Sequence, residues 1–254
     1  MHRKIWACIA AIFLLALRCA PQTPAAVPIT SEQHHHLALQ NDYVRLFEVE
    51  VPPHQSTLLH QHDYDYIYIA IGDAQFTNIL PGEAPAALKM ADGDIHFSRG
   101  GFAHLARNDA NTPFRNVTIE LLRPQGAVRN QCMRMDTTQP AGLCVGSDDS
   151  STLSEFTTDG TRVFYVFVTP HHDFMLFESN ASPANADRVP NPKREHLLVA
   201  LDDATVTPSA GAQTEKHLGP GDFAWLGPDD SAARIASASD KGARFYLLEF
   251  RPKN

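Results

Sequence analysis

The chain repeats itself, and that repeat limits its fold more than any other feature. DGDIHFSRGGFAHLARNDANTPFRNVTIELLRP, Asp92 to Pro124, aligns without a gap on PGDFAWLGPDDSAARIASASDKGARFYLLEFRP, Pro220 to Pro252, 128 positions later. Gly93-Asp94 falls on Gly221-Asp222, and Arg123-Pro124 on Arg251-Pro252. Upstream, VRLFEVEVPPH resembles TRVFYVFVTPH, which ends at His171. Solenoid repeats run to roughly 20–50 residues, so a period of this length indicates a duplicated domain. The 254 residues then divide into two units of ordinary size.

Each unit reads as β-structure. YVRLFEVEV, YDYIYIAI, DGDIHFS and FRNVTIELL are short β-branched or aromatic runs separated by Gly, Pro, Asn and Asp. No amphipathic helical period stands out in the body of the chain. The pattern predicts an all-β protein, a sandwich or barrel in each half. The expected units are 37–128 and 156–254, joined by a Gly/Ser/Thr/Asp-rich linker over 129–155. NASPANADRVPNPK in the second unit reads as a surface loop.

MHRKIWACIAAIFLLALRCA, at the start, is not part of either unit. His2, Arg3 and Lys4 precede an apolar run from Ile5 to Leu17, followed by small residues and prolines. This is the pattern of a secretory signal over residues 1–26, with cleavage expected between Ala20 and Ala26. The run is short for a membrane span, which needs about 20 residues. Cys19 raises a lipid anchor, but Arg18 before it does not suit a lipobox. A secreted or periplasmic protein is expected. Removal of Arg3, Lys4 and Arg18 takes the net charge from −8 to −11. No Lys/Arg cluster offsets that charge, so nucleic acid is excluded as a partner.

With Cys8 and Cys19 in the leader, Cys132 and Cys144 remain, in NQCMRMDTTQPAGLCVGSDD. In an oxidising compartment they are expected to form a disulfide; two free thiols are the alternative.

The residues that carry chemistry are histidines. His60 and His62, in STLLHQHDYDYIYIAIGD, are two apart and leave the same face of a strand. Further on, Gly93, Gly101, His104 and Asn108 recur at fixed intervals in GDIHFSRGGFAHLARN. Here the sequence resembles the cupin family, whose first motif carries HxH, a Glu and a Gly, and whose second reads G(X)5PXG(X)2H(X)3N. The second motif is kept in every spacing, with Arg99 in place of Pro; the first offers His60, His62 and Gly72 but no Glu. With the internal repeat, the chain looks like a bicupin, two tandem jelly-roll β-barrels.

The resemblance implies a divalent transition metal held by His60, His62 and His104 in the first unit. Iron, manganese, nickel, copper and zinc all suit imidazole donors. The competing reading makes the three histidines hydrogen-bonded core residues. The position of the missing Glu is ambiguous: counted back from Gly72 it holds Asp65, counted forward from His62 it holds Tyr66. Asp65, Ile67, Ile69 and Ile71 would share one face with the carboxylate at its mouth, so Asp65 is the expected fourth ligand; Tyr66 and no fourth ligand are the alternatives. Tyr64, Tyr66 and Tyr68 alternate and read as packing. His34, His35 and His36 fall in the stretch between leader and domain, where a solvated tail with loose metal binding at most is expected.

In the second unit His104 maps to Ala232 and the HxH pair maps near Phe177 and Ser179. That half has lost the motif, although Glu195 stands at the carboxylate position. No nucleophile elbow, phosphate-binding Gly-rich loop or CxxC is present. The family resemblance implies a metal-dependent enzyme acting on a small organic molecule, with dioxygenase chemistry first. The other class is a non-catalytic cupin that binds a ligand or is purely structural. A homodimer is the oligomer that the resemblance suggests.

Overall fold

The computed structural model describes residues 25–130, 151–177, 190–208, 215–230, 232–237 and 239–252. Residues 1–24 of the expected leader, and Cys132 and Cys144 of the expected disulfide, lie outside the described residues. No helix among the described residues is long and apolar enough to cross a membrane.

Ten strands build the first half: β1 (Val27–Pro28), β2 (His35–Gln40), β3 (Val44–Val51), β4 (His60–His62), β5 (Tyr66–Ala70), β6 (Ala74–Ile79), β7 (Ala86–Met90), β8 (Ile95–Ser98), β9 (Phe102–Asn108) and β10 (Phe114–Leu121). They form two five-stranded sheets, in the orders β1-β4-β9-β6-β7 and β2-β3-β10-β5-β8. The second half follows with β11 (Arg129–Asn130), β12 (Ser151–Thr157), β13 (Thr161–Val168), β14 (Asp173–Met175), β15 (Glu195–Ala200), β16 (Ala204–Thr207), β17 (Lys216–Leu218), β18 (Phe223–Leu226), β19 (Arg234–Ala236) and β20 (Ala243–Phe250). Its sheets run β11-β12-β13-β20-β15-β18 and β14-β19-β16-β17. The fold is all-β and jelly-roll in arrangement. Each expected barrel is two facing sheets, and among the described residues these are not joined edge to edge by hydrogen bonds. Strands β1 and β2 start ahead of residue 37, and β11 and most of β12 fall within 129–155.

The halves meet back to back. Ile67 and Ile69 of β5 and Val117, Ile119 and Leu121 of β10 share one apolar cluster with Val163 of β13, Leu197 and Val199 of β15, and Tyr246, Leu248 and Phe250 of β20. All of these are buried. Because side chains alternate across a strand, the neighbours of these residues point the other way, into their own half. Two further clusters fill those interiors: Phe47, Val49, Val51 and Phe76 among others in the first half, and Phe164, Val166, Leu198, Phe245 and Leu247 among others in the second.

The contact between halves is reciprocal, like an isologous dimer interface inside one chain. A Cβ added at Gly93 would lie 3.1 Å from Leu201 Cδ1, and one added at Gly221 would lie 3.5 Å from Ile71 Cγ1. Ile71 and Leu201 follow β5 and β15 directly. Both glycines hold positive φ, +84° and +92°, so the repeated Gly-Asp turns need glycine for conformation as well as space. Polar links add to the layer: Arg244 Nη2 donates to Asp92 Oδ2 at 2.7 Å, and the Tyr246 hydroxyl donates to the Gly93 carbonyl at 2.9 Å.

Since both halves share this layer, Leu197→Ala is expected to destabilise the whole molecule, by about 2–5 kcal/mol. Chemical denaturation followed by tryptophan fluorescence and by far-UV circular dichroism should show one coincident transition at lower midpoint. Two resolved transitions, with only the second shifted, would mean that the halves fold independently.

Candidate metal centre

Strand β4 places His60 and His62. It lies between β1, which it pairs in parallel with Val27 opposite His60, and β9, which sets His104 directly opposite His60. The period of two turns both β4 histidines inward, and both are buried. His104, on β9, enters the same space. One ring nitrogen from each of the three histidines lies within 4.8 Å of the other two.

The hydrogen bonds around the rings decide which nitrogens are free. His60 Nδ1 donates to the Leu58 carbonyl at 2.9 Å, which leaves its Nε2 buried with a lone pair and no partner. His104 Nδ1 donates to Asn78 Oδ1 at 2.7 Å, so its Nε2 also carries a lone pair. His62 Nε2 stands 3.1 Å from His104 Nε2. Two imidazoles on one first-row ion, with metal–nitrogen bonds of about 2.0–2.1 Å, put their donor atoms at about this separation. Partners on the far ring nitrogens, one a backbone carbonyl and one a side-chain amide, are the usual outer support of a metal-binding histidine. The donor set therefore fits a divalent transition metal.

Burial also keeps these rings neutral, as metal binding requires. Desolvation, reinforced by the neighbouring imidazoles, lowers His60 to about 4 and His104 to about 3, and lowers His62 further still.

The three rings line one side of a cavity of about 130 Å³ in the first half. The facing wall is formed by β5 and β10, with Tyr66, Tyr68, Asn116 and Thr118 turned inward. Tyr66 stacks on His62, with ring centroids 4.0 Å apart and an interplanar angle of 14°. Burial is the main cause that pushes its phenol up to about 12, so it stays protonated. The tyrosine stripe read as packing includes two residues of the cavity wall.

Asp65 is not brought to the histidines. It precedes β5, whose Ile67 and Ile69 face the other half of the molecule while Tyr66 and Tyr68 face the cavity. The expected shared face of Asp65 with Ile67, Ile69 and Ile71 is thus the outer one. Its carboxylate accepts from Arg99 Nη1 at 2.8 Å and from the Gly100 amide at 3.1 Å. Arg99, where the family motif has Pro, holds the carboxylate that was expected at the metal.

Two residues at the site were missed. His35 is buried on β2, with its ring centroid 4.7 Å from that of His60. Its Nδ1 bonds Glu32 Oε2 at 2.5 Å, and the other oxygen of Glu32 accepts from the Leu58 amide at 3.0 Å. Burial works to raise the Glu32 carboxyl, but the bonds from His35 and from the Leu58 and His34 amides outweigh it and hold the group down to about 2. Glu32 thereby anchors Leu58, the residue whose carbonyl orients His60. A sequence signal existed: HHLALQ and VRLFEVEV flank an Asn-Asp pair, which is hairpin patterning. β2 and β3 form that hairpin, with His35 opposite Val49.

The second half keeps the frame and fills the space. In the first half, the β10 residues Asn116, Thr118 and Glu120 pair with Ala70, Tyr68 and Tyr66 of β5. In the second, Phe245, Leu247 and Glu249 of β20 pair with Ala200, Leu198 and His196 of β15. The polar pair Asn116 and Thr118 is thus replaced by Phe245 and Leu247, both in the apolar core; this strand is shifted by one residue from the gapless repeat alignment, which set Arg244 and Tyr246 at these positions. An Arg–Glu pair survives in both, half-buried Arg45 with buried Glu120 at 3.2 Å and buried Arg162 with Glu249 at 2.7 Å. Glu195 accepts from the Trp225 indole at 2.8 Å.

No family model and no curated protein sequence matches the chain. Solved structures match its fold. AerE from Microcystis aeruginosa has a TM-score of 0.52 at 10% identity, over 86% of this chain and 97% of its own. Vicilin from tomato, Solanum lycopersicum, scores 0.51 at 11% identity, over 83% and 75%. A variant of salicylate 1,2-dioxygenase from Pseudoaminobacter salicylatoxidans, in complex with gentisate, scores 0.50 at 10% identity, over 82% and 69%. The chain has the fold of these two-domain cupin structures. At these identities the likeness is one of fold. Within that fold, the His60–His62–His104 cluster of this chain can hold an ion.

Two outcomes follow from the outer bonds and from burial. Asn78→Ala removes the acceptor for His104 and should weaken metal binding about 10–100-fold, measured by competition with a chromophoric chelator; unchanged affinity would show that Asn78 does not support the site. In the metal-free protein, the folded state resists protonation at His60 and His104 until about pH 4 and 3, while the unfolded chain takes up those protons near pH 6.5. The unfolded state therefore binds more protons in that interval, and stability falls as pH drops from about 6.5 toward 4. The melting temperature of His60→Leu should depend less on pH across that window than that of the wild type. Identical slopes would refute a buried neutral His60.

Proposed function

We propose that this chain is a bicupin, a secreted or periplasmic metal-dependent enzyme acting on a small organic molecule, with one mononuclear centre in its first half. The observation that carries the reading is the convergence of three neutral imidazoles, two buried and one half-buried, on one wall of a cavity, with the lone pairs of His60 and His104 fixed by their outer hydrogen bonds. Three protein donors leave coordination positions free for substrate, the hallmark of a reactive rather than a structural site.

A bound divalent metal would supply Lewis acidity or activation of dioxygen. The chain's own residues do the rest. His60, His62 and His104 hold the ion; Glu32, through Leu58, and Asn78 hold the ligand rings in orientation. Tyr66 covers one face of His62. Phe76, Phe102 and Phe114 exclude water from the remaining walls. Dioxygenase chemistry, in which both atoms of O₂ enter the substrate, is the first reaction to test. The second half carries no such cluster among its described residues and serves as packing partner.

A non-catalytic binding role is the alternative, favoured by the apolar filling of the second half. Elemental analysis of the mature, untagged protein beside a His60→Ala/His104→Ala variant decides the first step. About one transition metal per chain in the wild type and none in the variant is expected. Absence of metal from both, after exposure to Fe, Mn, Ni, Cu and Zn salts, would sink the metalloenzyme reading. Metal without oxygen uptake or turnover across a panel of small substrates would leave the binding role.

A further inference from the structure

We propose that the cavity selects a small oxygen chelator that carries its single negative charge at the metal-facing end and is uncharged at the other, and that Asn116 is the residue that recognises the uncharged end. The inference rests on the metal-site reading above and names the ligand class for that site.

Charge makes the first argument. Among the described residues that line the cavity there is no Lys, Arg, Asp or Glu. The expected carboxylate ligand, Asp65, is bound to Arg99 outside it. Three neutral imidazoles leave the charge of a divalent ion uncompensated in a poorly solvated site, which favours an anionic donor in the open positions. His35 adds no net cation to offset a second charge, because buried Glu32 faces it. With no cation on the opposite wall, a second negative charge on the ligand would be buried without a partner, which costs several kcal/mol. A ligand with a carboxylate at its far end is therefore disfavoured, and a chelator whose charge is confined to the metal-facing end is favoured.

Size and hydrogen bonding make the second argument. The cavity holds about 130 Å³; an engineered apolar cavity of about 150 Å³ accepts benzene. The ligand is thus limited to about one ring. Facing sheets stand roughly 10 Å apart. The histidines sit on the β4–β9 sheet and Asn116 on β10 of the opposite sheet, so a one-ring chelator reaches from one wall to the other. Thr118 Oγ1 donates to Asn116 Oδ1 at 2.7 Å, which fixes the amide. Its Nδ2 has no partner among the described residues and remains a donor at the cavity wall. A carbonyl or hydroxyl oxygen at the remote end of the ligand answers it.

The second half supplies the control. Phe245 and Leu247 stand where Asn116 and Thr118 stand, in the same strand register, and close the space. Replacing Asn116→Phe and Thr118→Leu writes that filled wall into the first half without touching a histidine.

The test uses full-length mature protein loaded with Co(II), titrated anaerobically with two one-ring oxygen chelators that share a hydroxypyranone chelating edge: kojic acid, with an uncharged hydroxymethyl group at the far end, and comenic acid, with a carboxylate there. Cobalt absorption bands report binding directly. In the wild type, kojic acid is expected to bind at least about tenfold tighter than comenic acid. The Asn116→Phe/Thr118→Leu protein should keep one cobalt per chain and lose kojic acid binding. The milder Asn116→Leu, which removes only the amide, should weaken kojic acid about tenfold at unchanged cobalt content, and it keeps the test open if the double variant does not fold. Comenic acid binding as tightly as kojic acid overturns the charge argument. Equal kojic acid affinity in wild type and Asn116→Leu overturns the role of Asn116. Failure of the wild type to take up cobalt overturns the metal-site reading itself and this inference with it.

Discussion

The apolar layer between the two halves determines which way every other side chain points. β5 and β10 present Ile67, Ile69, Val117, Ile119 and Leu121 to the partner half, which supplies Val163, Leu197, Val199, Tyr246, Leu248 and Phe250. In an ordinary two-sheet sandwich the apolar face of a strand looks inward and the polar face meets water. Here the outward face is covered by the other copy, so the apolar alternation is used there. The polar alternation is left for the interior of the first half. Asn116, Thr118 and Glu120 are buried for that reason, and a cavity with hydrogen-bonding walls becomes compatible with a stable sheet.

Duplication then separates stability from function. Both halves keep the same strand register and the same Arg–Glu layer at one end. Beyond that layer they diverge. The second half packs Phe164, Val166, Leu198, Phe245 and Leu247 into one core. The first leaves space and carries four buried or half-buried imidazoles in it, an arrangement that forgoes dispersion contacts and desolvates polar rings. A filled twin, bonded through a shared apolar layer, offsets that deficit across the interface.

The repeat, the all-β class and the three histidines were legible in the sequence because each is a matter of spacing. The period of two brings His60 and His62 to one face wherever a strand forms, and the Gly93–Asn108 motif carries its own geometry. The fourth donor was not legible. Counting back from Gly72 placed Asp65 with Ile67 and Ile69, which is right for the face and wrong for the side: an apolar face reads as interior, and here it is the contact with the second half. The same inversion hid Tyr66 and Tyr68 as cavity residues. His35 was hidden by neighbouring polarity, since three consecutive histidines near an expected leader read as solvated tail, whereas edge strand β2 buries His35 at its start and leaves the residues after it mostly exposed.

Glu32 shows how the site is held without a carboxylate in it. Its two oxygens bind the His35 ring and the Leu58 amide, and the Leu58 carbonyl in turn accepts a hydrogen bond from His60 Nδ1. One buried acid therefore ties the entering chain to the loop before β4 and sets the tautomer of a histidine that it does not touch by hydrogen bond. The cost is concentrated in these rings: His60 Nε2 and His62 Nδ1 are buried without partners, each at about 1–3 kcal/mol. A fold that aims the lone pair of His60 at its neighbours' donor atoms, and keeps the rings neutral by the same burial, lowers the reorganisation needed to take an ion. That preorganisation follows from strand alternation, one backbone carbonyl and one amide side chain.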